Sequence, residues 1–250
     1  MAALSMASGF GRPDDIADCI EAALHLDRHD RTSFKRYAKG VQFPVKGDHP
    51  YACGEWVTLA ARVWPGTDAW FRTPFWFLLK NKEVSPRDLM TCARGLPYLF
   101  REDLLEPDSP NAPAALHMTP VPRDFLYVFT APLNPWSLGA LACAMRRAEL
   151  AAEVGSMRWS AVGLVWAVGR FMESANPVMH KPLEELRYLV TKLFGGLVYP
   201  GQHHIRAEIT DADVDRFGRE QKKYVDYFTE CDFSGFRIDE PPPWRSISTV

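Results

Sequence analysis

Along most of the chain, apolar positions recur at helical spacing. Ile16, Cys19, Ile20, Ala23 and Leu24 form a first stripe. It follows Pro13, which suits a first helical position, and Asp14 and Asp15, which suit the positive end of a helix dipole. Trp56, Leu59, Ala60, Val63 and Trp64 stand at i, i+3, i+4, i+7 and i+8, which places five side chains on one helix face. Pro65-Gly66-Thr67 ends that pattern. Between these two stripes, Thr32 and Ser33 are good N-caps for a short helix with Phe34 and Tyr37 inward. Gly40 can close it in the left-handed conformation, and Pro44 keeps the chain from re-entering a helix at once. Thr67-Asp68 can cap a short turn through Trp70 and Phe71. Ser85-Pro86 then opens a helix with Leu89, Met90 and Ala93 inward, stopped by Gly95 and Pro97.

The second half repeats the theme. Asn134-Pro135 is a cap followed by proline at N1, and Leu138, Leu141, Ala142, Met145 and Ala152 extend a stripe toward Gly155. A buried helix follows from about Arg158 to Ser174, broken at Asn176-Pro177. Residues 181–194 are amphipathic through Leu183, Leu186, Val190 and Leu193, closed by Gly195-Gly196. Thr210-Asp211 caps a last helix with Val214, Phe217, Tyr224, Val225 and Phe228 inward. Phe125 to Phe129, FLYVF, reads as a lone strand or an extended wall segment. Five prolines fall between residues 106 and 123, the best candidate linker. The fold class expected is therefore all-α. A helical, helix-turn-helix-like domain spans 1–105, a proline-rich linker 106–123, and a helical bundle 124–250 that ends in an irregular tail from Cys231.

Composition narrows the classes. Hydrophobic residues are 47% and charged residues 24%, which excludes a disordered chain. The longest uncharged apolar run that looks helical, Trp159 to Gly169, is too short to span a bilayer, so no membrane partner is expected. The five cysteines are widely spaced without metal-ligand spacing, and Met1 to Gly11 lacks a basic region followed by an apolar core. Reduced thiols in a cytoplasm are the expectation. His203 and His204 are adjacent and so point apart, which makes a poor chelate. Cys53-Gly54-Glu55 near His49 is too sparse for an activated thiolate. No glycine-rich phosphate loop occurs. Catalytic residues, a bound metal and a cofactor are accordingly not expected.

Charge changes the picture at one place. Net charge is -2, so the chain as a whole does not attract nucleic acid. From Arg28 to Lys46, however, six basic residues face one acid, Asp30. Within that stretch, Phe34-Lys-Arg-Tyr37-Ala-Lys-Gly40-Val-Gln-Phe-Pro44 is similar to the recognition-helix end of phage-repressor-type helix-turn-helix regulators, and Glu55 to Trp64 resembles the family's following helix. Arg28 to Arg31 lacks the family's preceding-helix residues, and Val45 to Tyr51 is an additional segment. The resemblance implies a DNA-binding transcriptional regulator of a bacterial mobile element, acting on double-stranded DNA. Lys35, Arg36 and Lys39 would contact phosphates or base edges, with Gly40 and Pro44 shaping the turn. The C-terminal half is expected to supply a homodimer or protein-partner surface through the stripes at 135–153 and 182–194. The alternative is a non-enzymatic interaction or scaffolding protein that uses the aromatic segment 70–79 as its contact surface.

Overall fold

The structure is a computed structural model and describes residues 13–25, 55–64, 66, 69–80, 83–101, 104–105, 121–174, 180–195 and 209–228. The fold is all-α: each regular element among the described residues is a helix. In chain order these are α1 (Pro13–Ala23), α2 (Glu55–Val63), α3 (Ala69–Arg72), α4 (Phe75–Lys80), α5 (Pro86–Arg94), α6 (Tyr98–Arg101), α7 (Arg123–Thr130), α8 (Pro135–Leu150), α9 (Val154–Ser174), α10 (His180–Gly195) and α11 (Asp211–Phe228). The chain divides into two compact units, Met1–Arg72 with Met172–Glu184, and Thr73–Phe171 with Glu185–Val250.

In the first unit, α1 packs on α2. Ile16, Ala17, Ile20, Leu59 and Ala60 are buried together, with Leu24, Val63 and Trp64 at their edge. Ile16, Ile20 and Leu24 follow the predicted stripe. Ala17 takes the place expected for Ala23, which is exposed, because residue 17 lies three before Ile20 and turns to the same side.

The second unit is organised around α8. Its Pro135 and every residue from Ser137 to Ala148 are buried, so α8 is enclosed on all sides rather than along the one stripe predicted. It packs against α4, α5, α6 and α7, and α7 also packs on α11. Small residues make this enclosure feasible. A Cβ on Gly139 would fall 2.6 Å from Thr73 Oγ1, a buried hydroxyl that donates to the Pro135 carbonyl at 2.9 Å. The helix stops at Leu150, and Ala152 sits beyond it, exposed, in the left-handed region at φ 57; its predicted place on the stripe is corrected accordingly.

Glycine also sets the contact of α9 with α11. A Cβ on Gly163 would lie 2.9 Å from Phe217 Cζ, and one on Gly218 would lie 2.6 Å from Trp166 Nε1. Each helix thus drives an aromatic ring onto a glycine of the other, a close approach that any side chain would block.

Three helices begin at the Ser85, Asn134 and Thr210 starts expected from sequence, and each cap is reciprocal. Ser85 Oγ accepts from Asp88 N at 3.1 Å, and Asp88 Oδ2 accepts from Ser85 N. Asn134 Oδ1 accepts from Trp136 N and Ser137 N, while Ser137 Oγ accepts from Asn134 N. Thr210 Oγ1 accepts from Asp213 N, and Asp213 Oδ2 accepts from Thr210 N.

The strand expectation is corrected. Phe125 to Phe129 is not a strand: it lies within α7. Leu126, Tyr127, Phe129 and Thr130 are its buried face, and packing on α8 and α11 overrides the β preference of these aromatic and branched residues. Of the proline-rich segment 106–123, residues 106–120 lie outside the described residues. Helices α4 to α6 precede it and α8 follows it, yet they pack together within one unit, and the division between units falls after Arg72.

Candidate nucleic-acid interface

Lys35, Arg36, Lys39, Gly40 and Pro44 lie outside the described residues, as do His49, Cys53, His203 and His204. What the structure places is the support on either side. Segment 26–54 departs from α1 and returns to α2, and these two helices share one core. The turn after α1 brings Leu24 N onto Ile20 O at 3.0 Å and puts His25 at φ 52, the left-handed region typical of a helix end. Helix α1 carries Asp14, Asp15, Asp18 and Glu21 and no base. The cationic excess of this region therefore belongs to 28–46 and is not spread over the supporting helix.

In the second unit, aromatic and cationic side chains converge from α7, α9 and α11. Phe217 is buried among Tyr127, Trp159 and Trp166, with ring centroids at 5.0, 5.7 and 5.6 Å. Trp159 Nε1 donates to Tyr127 Oη at 3.3 Å. Burial raises the Tyr127 phenol above its ordinary pKa; the Trp159 hydrogen bond opposes this, Glu220 adds to it, and Arg123 and Arg216 oppose it. The guanidiniums of Arg123 and Arg216 stand over the Trp159 ring at 5.3 and 5.7 Å from its centroid, within cation–π range. Arg158 Nη2 reaches Asp213 Oδ2 at 2.5 Å. The Thr210 hydroxyl, then the Thr210 amide and Arg158, hold the Asp213 carboxyl down at about 2 against the opposing effect of burial.

Two further arginines lie inside α8. Arg146 is fully buried; its Nε and Nη2 donate to the Leu78 carbonyl at 3.1 and 2.8 Å, and its Nη1 to Glu149 Oε2 at 2.7 Å. This side chain serves a carbonyl in the last turn of α4, where helical partners run out. Burial pulls the Arg147 guanidinium below its ordinary pKa, opposed by Glu153. The legible signal for both was a pair of arginines set among the apolar residues of a single helix. The Arg123–Trp159–Arg216 arrangement had no such signal, because its members are far apart in sequence.

The buried thiols of Cys92 and Cys143 are chemically quiet. Burial, aided by Asp88, raises the Cys92 pKa, and burial, aided by Cys92, raises that of Cys143; neither is a thiolate nucleophile at neutral pH. Among the described residues, no group of three His, Cys, Asp or Glu could hold a metal ion, and no helix is long and apolar enough to cross a membrane.

The aromatic segment 70–79 turns largely inward. Trp70, Phe75 and Leu78 are buried, while Trp76 is 38% exposed and packs edge-on against Phe75 at 5.0 Å. Of the two stripes expected to form a partner surface, that of α8 is interior. On α10, Leu183, Leu186 and Val190 are buried, and Tyr188 and Leu189 are exposed at 65% and 50%. No family model, curated protein or solved structure matches the chain.

Proposed function

We propose that the protein is a DNA-binding transcriptional regulator that contacts double-stranded DNA through the basic segment 28–46, with Lys35, Arg36 and Lys39 on the phosphates. The observation that carries this reading is the charge distribution: six bases against one acid in that segment, within a chain of net charge -2. Cations concentrated on one short segment release counterions from a duplex without needing a basic protein overall. The similarity of residues 34–44 to phage-repressor-type regulators points the same way, and the shared core of α1 and α2 supplies a fixed support on both sides of the segment.

Three cations make a weak contact, so the reading includes a homodimer that presents two copies to two half-sites. Because α8 is interior, the dimer surface is assigned to α10 around Tyr188 and Leu189. The test is a mobility shift of random-sequence duplex DNA with the full chain, run beside sedimentation over the same concentrations. Binding that weakens in the variant K35A/R36A/K39A supports the assignment. Equal binding by parent and variant contradicts it. A monomer throughout the binding range removes the dimer and leaves the contact segment standing.

A further inference from the structure

The exposed end of the aromatic cluster in the second unit presents an unusual pairing of charges. Arg123, at the start of α7, and Arg216, on α11, bring two guanidiniums over one buried indole. Both arginines are exposed, and among the described residues neither makes an ion pair. Stacking on Trp159 limits the rotamers of both side chains and so reduces the ordering cost of gripping a ligand. The ring is itself fixed, through its Nε1 bond to Tyr127 and its contact with Phe217. Further along α11, Arg219 and Lys223 stand three and seven residues beyond Arg216, on the same side of the helix. Two acids share this face: Asp213, paired with Arg158, and Glu220, held by Lys223 at 2.6 Å and also attracted by Arg216 and Arg219. The charges around Trp159 therefore leave a cationic surplus, held by planar five-donor groups whose fork geometry matches tetrahedral oxyanions.

We propose that Arg123 and Arg216, stacked on Trp159, form a binding site for a phosphate group. The guanidiniums supply the hydrogen bonds, and the indole fixes where their forks lie. The site stands on the geometry of the second unit alone and does not depend on the basic segment 28–46. The phosphate is either that of a small phosphorylated ligand or that of a nucleic-acid backbone.

The experiment uses the full chain labelled with ¹⁵N-arginine. Side-chain Nε–Hε signals are followed while inorganic phosphate replaces chloride at constant ionic strength. Signals of Arg123 and Arg216 are assigned by their loss in R123Q and in R216Q; both side chains are exposed, so these variants retain the core. The two signals should shift together and saturate, while those of the exposed Arg62 and Arg87 stay put. Removing either arginine should weaken phosphate binding by about tenfold or more at the partner that remains, since charge-assisted hydrogen bonds are the strong ones. Signals of Arg123 and Arg216 that do not move, or that drift without saturation as Arg62 and Arg87 do, overturn the site. Short duplex DNA is then added to the phosphate-saturated protein carrying K35A/R36A/K39A. Displacement of phosphate from the pair identifies a nucleic-acid backbone as the source, and retention identifies a small phosphorylated ligand; both results uphold the phosphate site.

Discussion

Replacing Gly163 by alanine tests the packing of α9 on α11 directly. Taken alone, the change favours the helix, because alanine is better than glycine in a helix interior by about 1 kcal/mol. The site opposes it. The new Cβ would lie 2.9 and 3.0 Å from Phe217 Cζ and Cε2 and 3.2 Å from Leu141 Cδ2, where carbon pairs prefer about 3.5–4.0 Å. Phe217 cannot yield easily. Its ring is fully buried against Tyr127, Trp159 and Trp166. Nor can α11 slide away without drawing Gly218 off Trp166. Overpacking of this kind costs about 1–3 kcal/mol, and with the helix gain subtracted the net effect is a loss of up to about 2 kcal/mol. That corresponds to a melting temperature lower by a few degrees. Gly169→Ala is the internal control: it lies on the same helix, with nothing within 4 Å of its added Cβ, and should stabilise by up to about 1 kcal/mol. Scanning calorimetry of parent and both variants decides the matter. If Gly163→Ala melts as high as Gly169→Ala, Phe217 does not sit on that glycine and the close approach of the two helices is disproved.

Arg146→Lys should cost several kcal/mol, of the order of 3–5 when a buried charge is stripped of its partners, because an ammonium cannot reproduce the fork that holds Leu78 O and Glu149 together; chemical denaturation measures it, and a change under about 1 kcal/mol would contradict the buried arrangement. Asp213 has a folded pKa of about 2 against an ordinary 3.8, so it stabilises the fold above pH 3.8 and that contribution fades as pH falls toward 2; Asp213→Asn should lower stability at pH 7 and flatten the decline over that window in acid melts, and parallel acid profiles for parent and variant would oppose the assignment. Truncation after residue 110 should leave α4 to α6 without α8, so fragment 1–110 should lose helical signal and amide protection beyond residue 73; native-like protection there would show that these helices do not depend on α8.

Local signals were legible in sequence where they are local in physics. Ser85-Pro86, Asn134-Pro135 and Thr210-Asp211 act across three residues, and all three form the caps expected. The stripe of α2 was readable for the same reason, since helical spacing alone decides which side Leu59 and Ala60 share. Signals that depend on distant contacts were not. FLYVF has β-prone composition, and only packing against α8 and α11 makes it helical. Prolines forbid helix locally but do not say which helices meet across them, so the packing of α4 to α6 on α8 could not be read from 106–123. The interior position of α8 was partly visible in its small residues, yet Arg146 and Arg147 masked it, because the carbonyl that Arg146 serves belongs to Leu78. The proposed contact with DNA rests on the charge of Lys35, Arg36 and Lys39 and on the resemblance of residues 34–44, which are features of the sequence alone.

The most direct test of that interface is the salt dependence of duplex binding by the full chain. Log affinity plotted against log salt falls with a slope near 0.9 for each phosphate neutralised. The variant K35A/R36A/K39A should flatten the slope by up to about 0.9 for each cation removed, while helical content stays unchanged. A variant whose slope equals that of the parent would show that these three side chains do not meet the phosphates, and would contradict the proposed function.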